Sequence, residues 1–237
     1  MQEQDKQHIV VLTGSGISAD SGLQTFRDSG GLWEGYDIND VATPEAWKKD
    51  PETVLAFYND RRKQAWNAEP NAAHKALADL EKQYQVTIIT QNVDNLHENA
   101  GSTNVIHLHG ELAKVRSEND PSLTEDIGGK KIELGDTAED GRQLRPHVVW
   151  FGEPVPMMET AIEITTKADI FAVIGTSLSV YPAASLLQYV PGDADKYLVD
   201  PSIPSSHLID KQWHTIAQKA KNGVPQMARQ LVHSNSR

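Results

Sequence analysis

The chain has 237 residues, 38% of them hydrophobic and 23% charged, enough to bury one substantial core. Lys and Arg number 22 against 33 Asp and Glu, a formal net charge of −11. That balance argues against nucleic acid or an anionic membrane as partner, because phosphate contacts need clustered cations. There is no cysteine, which excludes disulfides, thiolate nucleophiles, iron–sulfur clusters and Cys-ligated zinc.

The first residues, MQEQDKQ, carry no apolar stretch behind a basic start, so no signal peptide is expected. No apolar run approaches the roughly 20 residues of a membrane span, and a cytoplasmic protein is expected. Residues 8–14 (HIVVLTG) read as a buried strand ending on glycine, with a helix expected after Gly16. Residues 29–46, rich in Gly, Asp and Trp, read as a long loop. Asp50-Pro51-Glu52 is a helix start, and the helix should run to Trp66. Asn71 can cap a second helix with Ala73, Leu77 and Leu80 on one face. Strands are expected at 85–90 and 105–110, with a helix from near Val93 to Gly101 between them. Residues 117–144 are polar and turn-rich, the mark of a functional loop or small subdomain. Further strands are expected at 147–152, 170–177 and 197–200, and a last helix at about 224–232. This alternation predicts an α/β fold with a mostly parallel sheet.

Chemistry gathers at the strand ends, where open α/β sheets bind ligands. VLTGSGISADSG (11–22) turns through Gly14, Ser15 and Gly16. Such glycines let the backbone approach a pyrophosphate, although the spacing is GxGxxxxxG rather than GxGxxG, and a ligand-free Gly-rich turn is the alternative. LQTFRDSGGLWEG (23–35) follows. TQNVDNLH (90–97) comes directly after the second strand. HLHGEL (107–112) ends the third with His107 and His109, which as i and i+2 point the same way. GTSLSVYPAA (175–184) ends another.

GSGISADSGLQTFR, TQNVDNLH, HLHGEL, PHVVWFGE and GTSLSVYPAA resemble, in order and spacing, the blocks of the sirtuins, NAD-dependent protein-lysine deacylases. PNAAHKAL (70–77) resembles the family's helix between the first blocks, and the resemblance covers nearly the whole chain except 117–144. It implies a Rossmann-like parallel sheet with helices on both faces plus a small second domain. The whole chain, 1–237, would be one catalytic domain. A large NAD-binding part would take about 1–28, 70–112 and 145–237, and a small subdomain about 29–69 and 113–144.

NAD is the implied cofactor and acylated lysines of proteins the implied partners. By the resemblance, Gly14, Ser15 and Gly16 bind the NAD phosphates, and Phe26 and Arg27 cover the ribose and diphosphate. Gln91, Asn92 and Asp94 hold the ribose and the nicotinamide carboxamide. Asn92 and His109 are the implied catalytic residues, His109 as general base. Gly175, Thr176 and Ser177 contact the adenosine half, with Asp200 and Ala220 toward the adenine. Residues 148–153, including Val148, Trp150, Phe151 and Gly152, pair as a strand with the substrate peptide. In the implied chemistry the acyl oxygen attacks the ribose carbon as nicotinamide leaves. A neutral imidazole then takes a proton from a ribose hydroxyl, a task suited to a pKa near 6.5. Free lysine, nicotinamide and O-acyl-ADP-ribose result.

The chain departs from the family in three places. The structural zinc usual in the family sits on four cysteines, and here there are none; 117–144 holds no His either, so no zinc is expected. Turns at 128–129 and 135–136, or a cluster of Lys130, Lys131 and Glu133, would hold that segment instead. Ser15 stands where Ala is usual, and Leu178 where Gly is common.

Tyr58 and Arg61, at i and i+3 on one helix face, resemble the mark of the sirtuin branch that removes succinyl and malonyl groups. A guanidinium grips both oxygens of a carboxylate-ended acyl chain; a surface salt bridge is the alternative. Such an enzyme would still remove acetyl groups. Protein ADP-ribosyl transfer in the same cleft, and a catalytically weak NAD or acyl-lysine binding module, are the competing functions, the latter opposed by the intact Asn92, Asp94 and His109. His74 and His97 read as structural or surface residues and His107 as strand core. Trp33 reads as a cleft or loop anchor, and Trp47, Trp66 and Trp213 as packing.

Overall fold

The computed structural model describes residues 6–24, 35–203 and 209–234, and the backbone of 32–33. β1 (His8–Thr13) is buried beyond its first residue. Two 3-10 turns, Ser15–Ile17 and Ala19–Ser21, follow it in place of the expected α-helix. The reason is long-range: Gly16 N–H donates to the Gly175 carbonyl at 2.9 Å, and the Asn71 side chain donates to the Ile17 carbonyl at 2.8 Å.

The described part of 29–46 is more regular than expected. β2 (Leu32–Trp33) and β3 (Tyr36–Asp37) form a short antiparallel ribbon. Helix α1 (Ile38–Val41) is capped by Asp37, and α2 (Pro44–Lys49) by Thr43. One turn of helix shows too little periodicity to read from sequence, but both caps are ordinary start signals. α3 (Pro51–Asn67) starts at Asp50, whose carboxylate accepts from Thr53 N–H at 3.1 Å. α4 (Ala72–Leu80) has the Asn71 cap. After β4 (Gln85–Thr90), helix α5 (Leu96–Asn99) is shorter than expected. The Val93 carbonyl is taken by Leu112 N–H at 2.8 Å, so Val93 cannot open it.

β5 (Val105–His107) ends early, and β6 (Gly110–Ser117) begins at a glycine with φ 80°. β7 (Thr124–Asp126) and β8 (Leu144–Val148) follow. The strand expected at 147–152 thus lies mostly upstream, because Phe151 N–H donates to Ala42 and Gly152 turns at φ 90°. Helix α6 (Met158–Thr165), β9 (Ile170–Ile174), a 3-10 helix (Ala183–Tyr189), β10 (Asp195–Val199), β11 (Trp213–Ile216) and α7 (Ala220–Ser234) complete the chain. α7 starts before the expected 224 and carries Pro225 inside it. No helix among the described residues is long and apolar enough to cross a membrane.

Six parallel strands run in the order β11-β10-β9-β1-β4-β5. Alternation divides their side chains between two layers. Ile9, Val11, Ile88 and Ala172 pack under α4 and α7, against Leu77, Val224 and Met227. Val10, Leu12, Phe171 and Val173 pack on the opposite face, against Ala161 of α6 and Leu186. A three-stranded antiparallel sheet, β7-β6-β8, packs its own core with α3, including Trp47, Tyr58, Val115 and Trp150.

The cysteine-free 117–144 segment is pinned by hydrogen bonds. Asn59 of α3 clasps the Ile132 peptide, donating at 2.8 Å and accepting at 3.1 Å. Trp66 lies so close over Gly128 and Gly129 that an added Cβ would meet its ring at 2.9 and 2.6 Å. Gly135 N–H donates to Gln143 at 2.7 Å. The lysine cluster resolves to a Lys131–Glu133 pair, 72% and 64% exposed; such a pair contributes little.

Candidate active site

A cavity of about 500 Å³ opens at the C-terminal ends of β1, β4, β9 and β10. Gly14, Ser15 and Gly16 line it after β1, Gln91, Asn92 and Asp94 after β4, Gly175, Thr176 and Ser177 after β9, and Asp200 after β10. His109 enters from the β5–β6 turn, and Tyr58 and Arg61 from α3. Val148, Trp150, Phe151 and Gly152 line it as well.

The two glycine loops interlock backbone to backbone. A Cβ on Gly16 would lie 2.7 Å from Gly175 Cα, and Gly175 itself has φ 61°. This is a cradle that side chains would fill, and it fits a dinucleotide phosphate.

Asn92 is held in three ways. Its backbone N–H donates to Thr90 Oγ1 at 3.0 Å, and its amide nitrogen donates to the Gly14 carbonyl at 3.2 Å and to Ser18 Oγ at 3.1 Å. Its side-chain oxygen therefore remains as an acceptor. Ser18 passes its own hydrogen to Asp94 Oδ2 at 3.1 Å. Burial pushes the Asp94 carboxyl up, opposed by hydrogen bonds from Leu96 N–H and Ser18. Ser18 thus sets both residues; sequence reasoning did not single it out, although it sits inside the first quoted block.

His109 Nδ1 lies 3.0 Å from the Gln91 carbonyl. A carbonyl only accepts, so Nδ1 carries the hydrogen and a neutral ring leaves Nε2 as a base. Burial lowers its pKa, with the Gln91 bond opposing. His107, expected as strand core, ends β5 with its side chain 7% exposed. Its Nδ1 meets the Asn92 carbonyl at 3.0 Å and its Nε2 meets Glu98 at 2.8 Å. Burial lowers its pKa, but Glu98 outweighs that and the net direction is up.

On the α3 side of the cavity, Tyr58 is fully buried and accepts from Trp150 Nε1–H at 3.0 Å. The Arg61 guanidinium carbon is 5.8 Å from the Phe57 ring centre. Trp150, expected at the substrate strand, turns its side chain inward at 2% exposure, while Phe151 stays 48% exposed. Val149 N–H is occupied by the His109 carbonyl at 2.9 Å. Leu178, where glycine is common in the family, adopts φ 56°.

Ala220 does not join the cavity wall. It is the first residue of α7 and packs into the core at 3% exposure, while the neighbouring Lys219 lines the cavity. Phe26 and Arg27 lie outside the described residues, as does the Trp33 side chain. The residues do not fit the zinc usual in the family: no cysteine exists, and no group of three metal-ligating side chains occurs among the described residues.

An open parallel sheet with an interlocked glycine cradle and polar strand ends defines a nucleotide-binding α/β protein. The Sir2 family profile matches residues 14–182. An NAD-dependent protein deacylase of Bacteroides thetaiotaomicron is 52% identical, over 95% of this chain and 98% of its own. Another from Helicobacter pylori (strain 26695) is 56% identical, over 85% of this chain and 88% of its own. A solved Sir2 homologue in complex with NAD superposes with a TM-score of 0.85 at 38% identity, covering 97% of this chain and 91% of that one. The chain belongs to the Sir2 family.

Proposed function

We propose that this protein is an NAD-dependent protein-lysine deacylase whose acyl pocket accepts succinyl and malonyl groups as well as acetyl. The observation that carries the reading is one cavity shared by the glycine cradle, the Asn92–Asp94 turn, His109 and the Tyr58–Arg61 face. NAD supplies a ribose carbon that accepts the acyl oxygen and nicotinamide as leaving group.

The chain's own residues do the rest. Gly14, Ser15 and Gly16 offer close backbone approach to the phosphates, and Gly175, Thr176, Ser177 and Asp200 take the adenosine half. Gln91, Asn92 and Asp94 orient the nicotinamide ribose. The Asn92 oxygen accepts, because both its amide hydrogens are used internally. His109 Nε2 removes a ribose hydroxyl proton, and the Gln91 carbonyl keeps that nitrogen bare. Arg61 neutralises an acyl carboxylate. One water is consumed to release the amine, and the products are free lysine, nicotinamide and O-acyl-ADP-ribose. In this reading the large part takes about 1–28, 70–112 and 145–237, the small part about 29–69 and 113–144, and 148–153 borders the acyl-lysine peptide.

Arg61→Met tests the acyl assignment. With matched succinyl-lysine and acetyl-lysine peptides, the variant should lose most succinyl turnover, roughly tenfold or more for a charge-assisted contact, and lose less acetyl turnover. Equal losses on both peptides would return Arg61 to a surface or structural role.

A further inference from the structure

Trp150 touches Tyr58 with the one polar atom of its ring, across 92 residues of chain. The indole is fixed on several sides. Its backbone N–H donates to Glu153 Oε2 at 2.8 Å. The Arg145 guanidinium lies over the ring, 3.3 Å from its centroid, and donates to Glu153 at 2.7 and 3.2 Å. The Trp47 ring packs 5.9 Å away. The direction of Nε1–H is therefore set by the scaffold.

An indole N–H can only donate, whereas a phenol has one hydrogen and two lone pairs. With Trp150 occupying a lone pair, Tyr58 cannot aim its hydrogen at the indole. The hydroxyl hydrogen is left for a different acceptor, and Tyr58 lines the cavity together with Arg61. Burial pushes the phenol well above its ordinary range, so that hydrogen stays in place. An acyl carboxylate is such an acceptor; the methyl end of an acetyl group is not.

We infer that Trp150 is a specificity-determining positioning residue, which acts through Tyr58 by holding its hydroxyl as a donor toward the carboxylate of an acidic acyl chain. The inference rests on the acyl reading of Tyr58 and Arg61. It separates Trp150 from the peptide-pairing role of its neighbours, since the ring faces inward. Glu153 and Arg145 hold the indole.

The test compares wild type, Trp150→Phe, Tyr58→Phe and the double variant, with Arg61→Met alongside. The readout is kcat/KM on succinyl-lysine and acetyl-lysine forms of one peptide. Trp150→Phe should lower the succinyl-to-acetyl ratio about fivefold, as for one hydrogen bond. In the Tyr58→Phe background the same change should lower it no further. An unchanged ratio, or an equal fall in both backgrounds, would make Trp150 a packing residue only. If Trp150→Phe fails to fold, the ¹⁵N indole resonance of Trp150 in the wild type decides. It should move in Tyr58→Phe and shift further with succinyl than with acetyl peptide; identical shifts overturn the inference. If Arg61→Met leaves the ratio unchanged, the acyl reading itself fails and takes the inference with it. A ratio that collapses in Arg61→Met but survives Trp150→Phe defeats the inference alone.

Discussion

The Nδ1 atoms of His107 and His109 each lie 3.0 Å from successive carbonyl oxygens, those of Asn92 and Gln91. Two histidines, His107 at the end of β5 and His109 in the turn to β6, thus clasp the turn after β4 that carries the polar residues of the site. Their second nitrogens separate them: His107 Nε2 meets Glu98, and His109 lines the cavity.

Their pKa values are shifted in opposite directions. Burial lowers the His109 pKa against the Gln91 bond, so its imidazole stays neutral to a lower pH than an ordinary histidine. The acid limb of a kcat/KM profile should therefore fall below pH 6.5, and it should be absent from the residual rate of His109→Ala. A limb above 6.5 would contradict this. The His107 pKa is raised by Glu98 against burial. Its pairing therefore stabilises the fold fully below pH 6.5 and is lost as pH rises through the raised value. Glu98→Gln should remove that component of a denaturation-versus-pH curve.

His74 and His97 are fully buried, their rings 4.9 Å apart. Burial lowers His74 to about 4, despite Glu98, and holds His97 well below its ordinary value. Below pH 6.5 these two histidines bind more protons in the unfolded chain than in the folded one. Stability should therefore fall as pH drops, by up to about 1.4 kcal/mol per pH unit for each histidine, for His74 until about pH 4. Urea denaturation at pH 7, 6 and 5 measures the slope. His97→Gln, which keeps a donor near Thr13, should make it shallower; an unchanged slope would exclude His97.

Gly16→Ala should impair NAD binding by about tenfold or more. The new Cβ meets Gly175 Cα at 2.7 Å and its carbonyl oxygen at 2.8 Å, and backbone atoms cannot swing aside. Titration calorimetry with NAD checks it, and wild-type affinity would contradict the cradle.

Asn59→Ala should destabilise the fold by about 2–3 kcal/mol, because it strips both hydrogen bonds from the Ile132 peptide and leaves buried groups unpaired. A chelator should leave the melting temperature unchanged, since the segment is pinned by hydrogen bonds. A melting point that falls with chelation would show a metal after all.

Much of the parallel sheet was legible because its strands are continuous β-branched runs; β1, β4 and β9 stand at or close to their expected places. β11 was not legible: it is four residues long and half exposed. Pro225 hid the first turn of α7. The β6–β7–β8 sheet is polar and interrupted, so no period stood out. At the site, Asn92, Asp94 and His109 could be read because polar residues at strand ends have no packing reason to be there. The Ser18 bridge and the Trp150–Tyr58 contact join segments 74 to 92 residues apart, and no local spacing encodes them. Ala220 packs into the core one residue from Lys219, which lines the cavity, and local spacing does not tell such neighbours apart.

The most direct measurement follows products by mass when the wild type and His109→Ala meet an acyl-lysine peptide with and without NAD. The wild type should release one nicotinamide and one O-acyl-ADP-ribose for each lysine freed, only with NAD, and His109→Ala should free almost none. Lysine freed without NAD, or NAD consumed with ADP-ribose left on protein and the acyl group in place, would contradict the account.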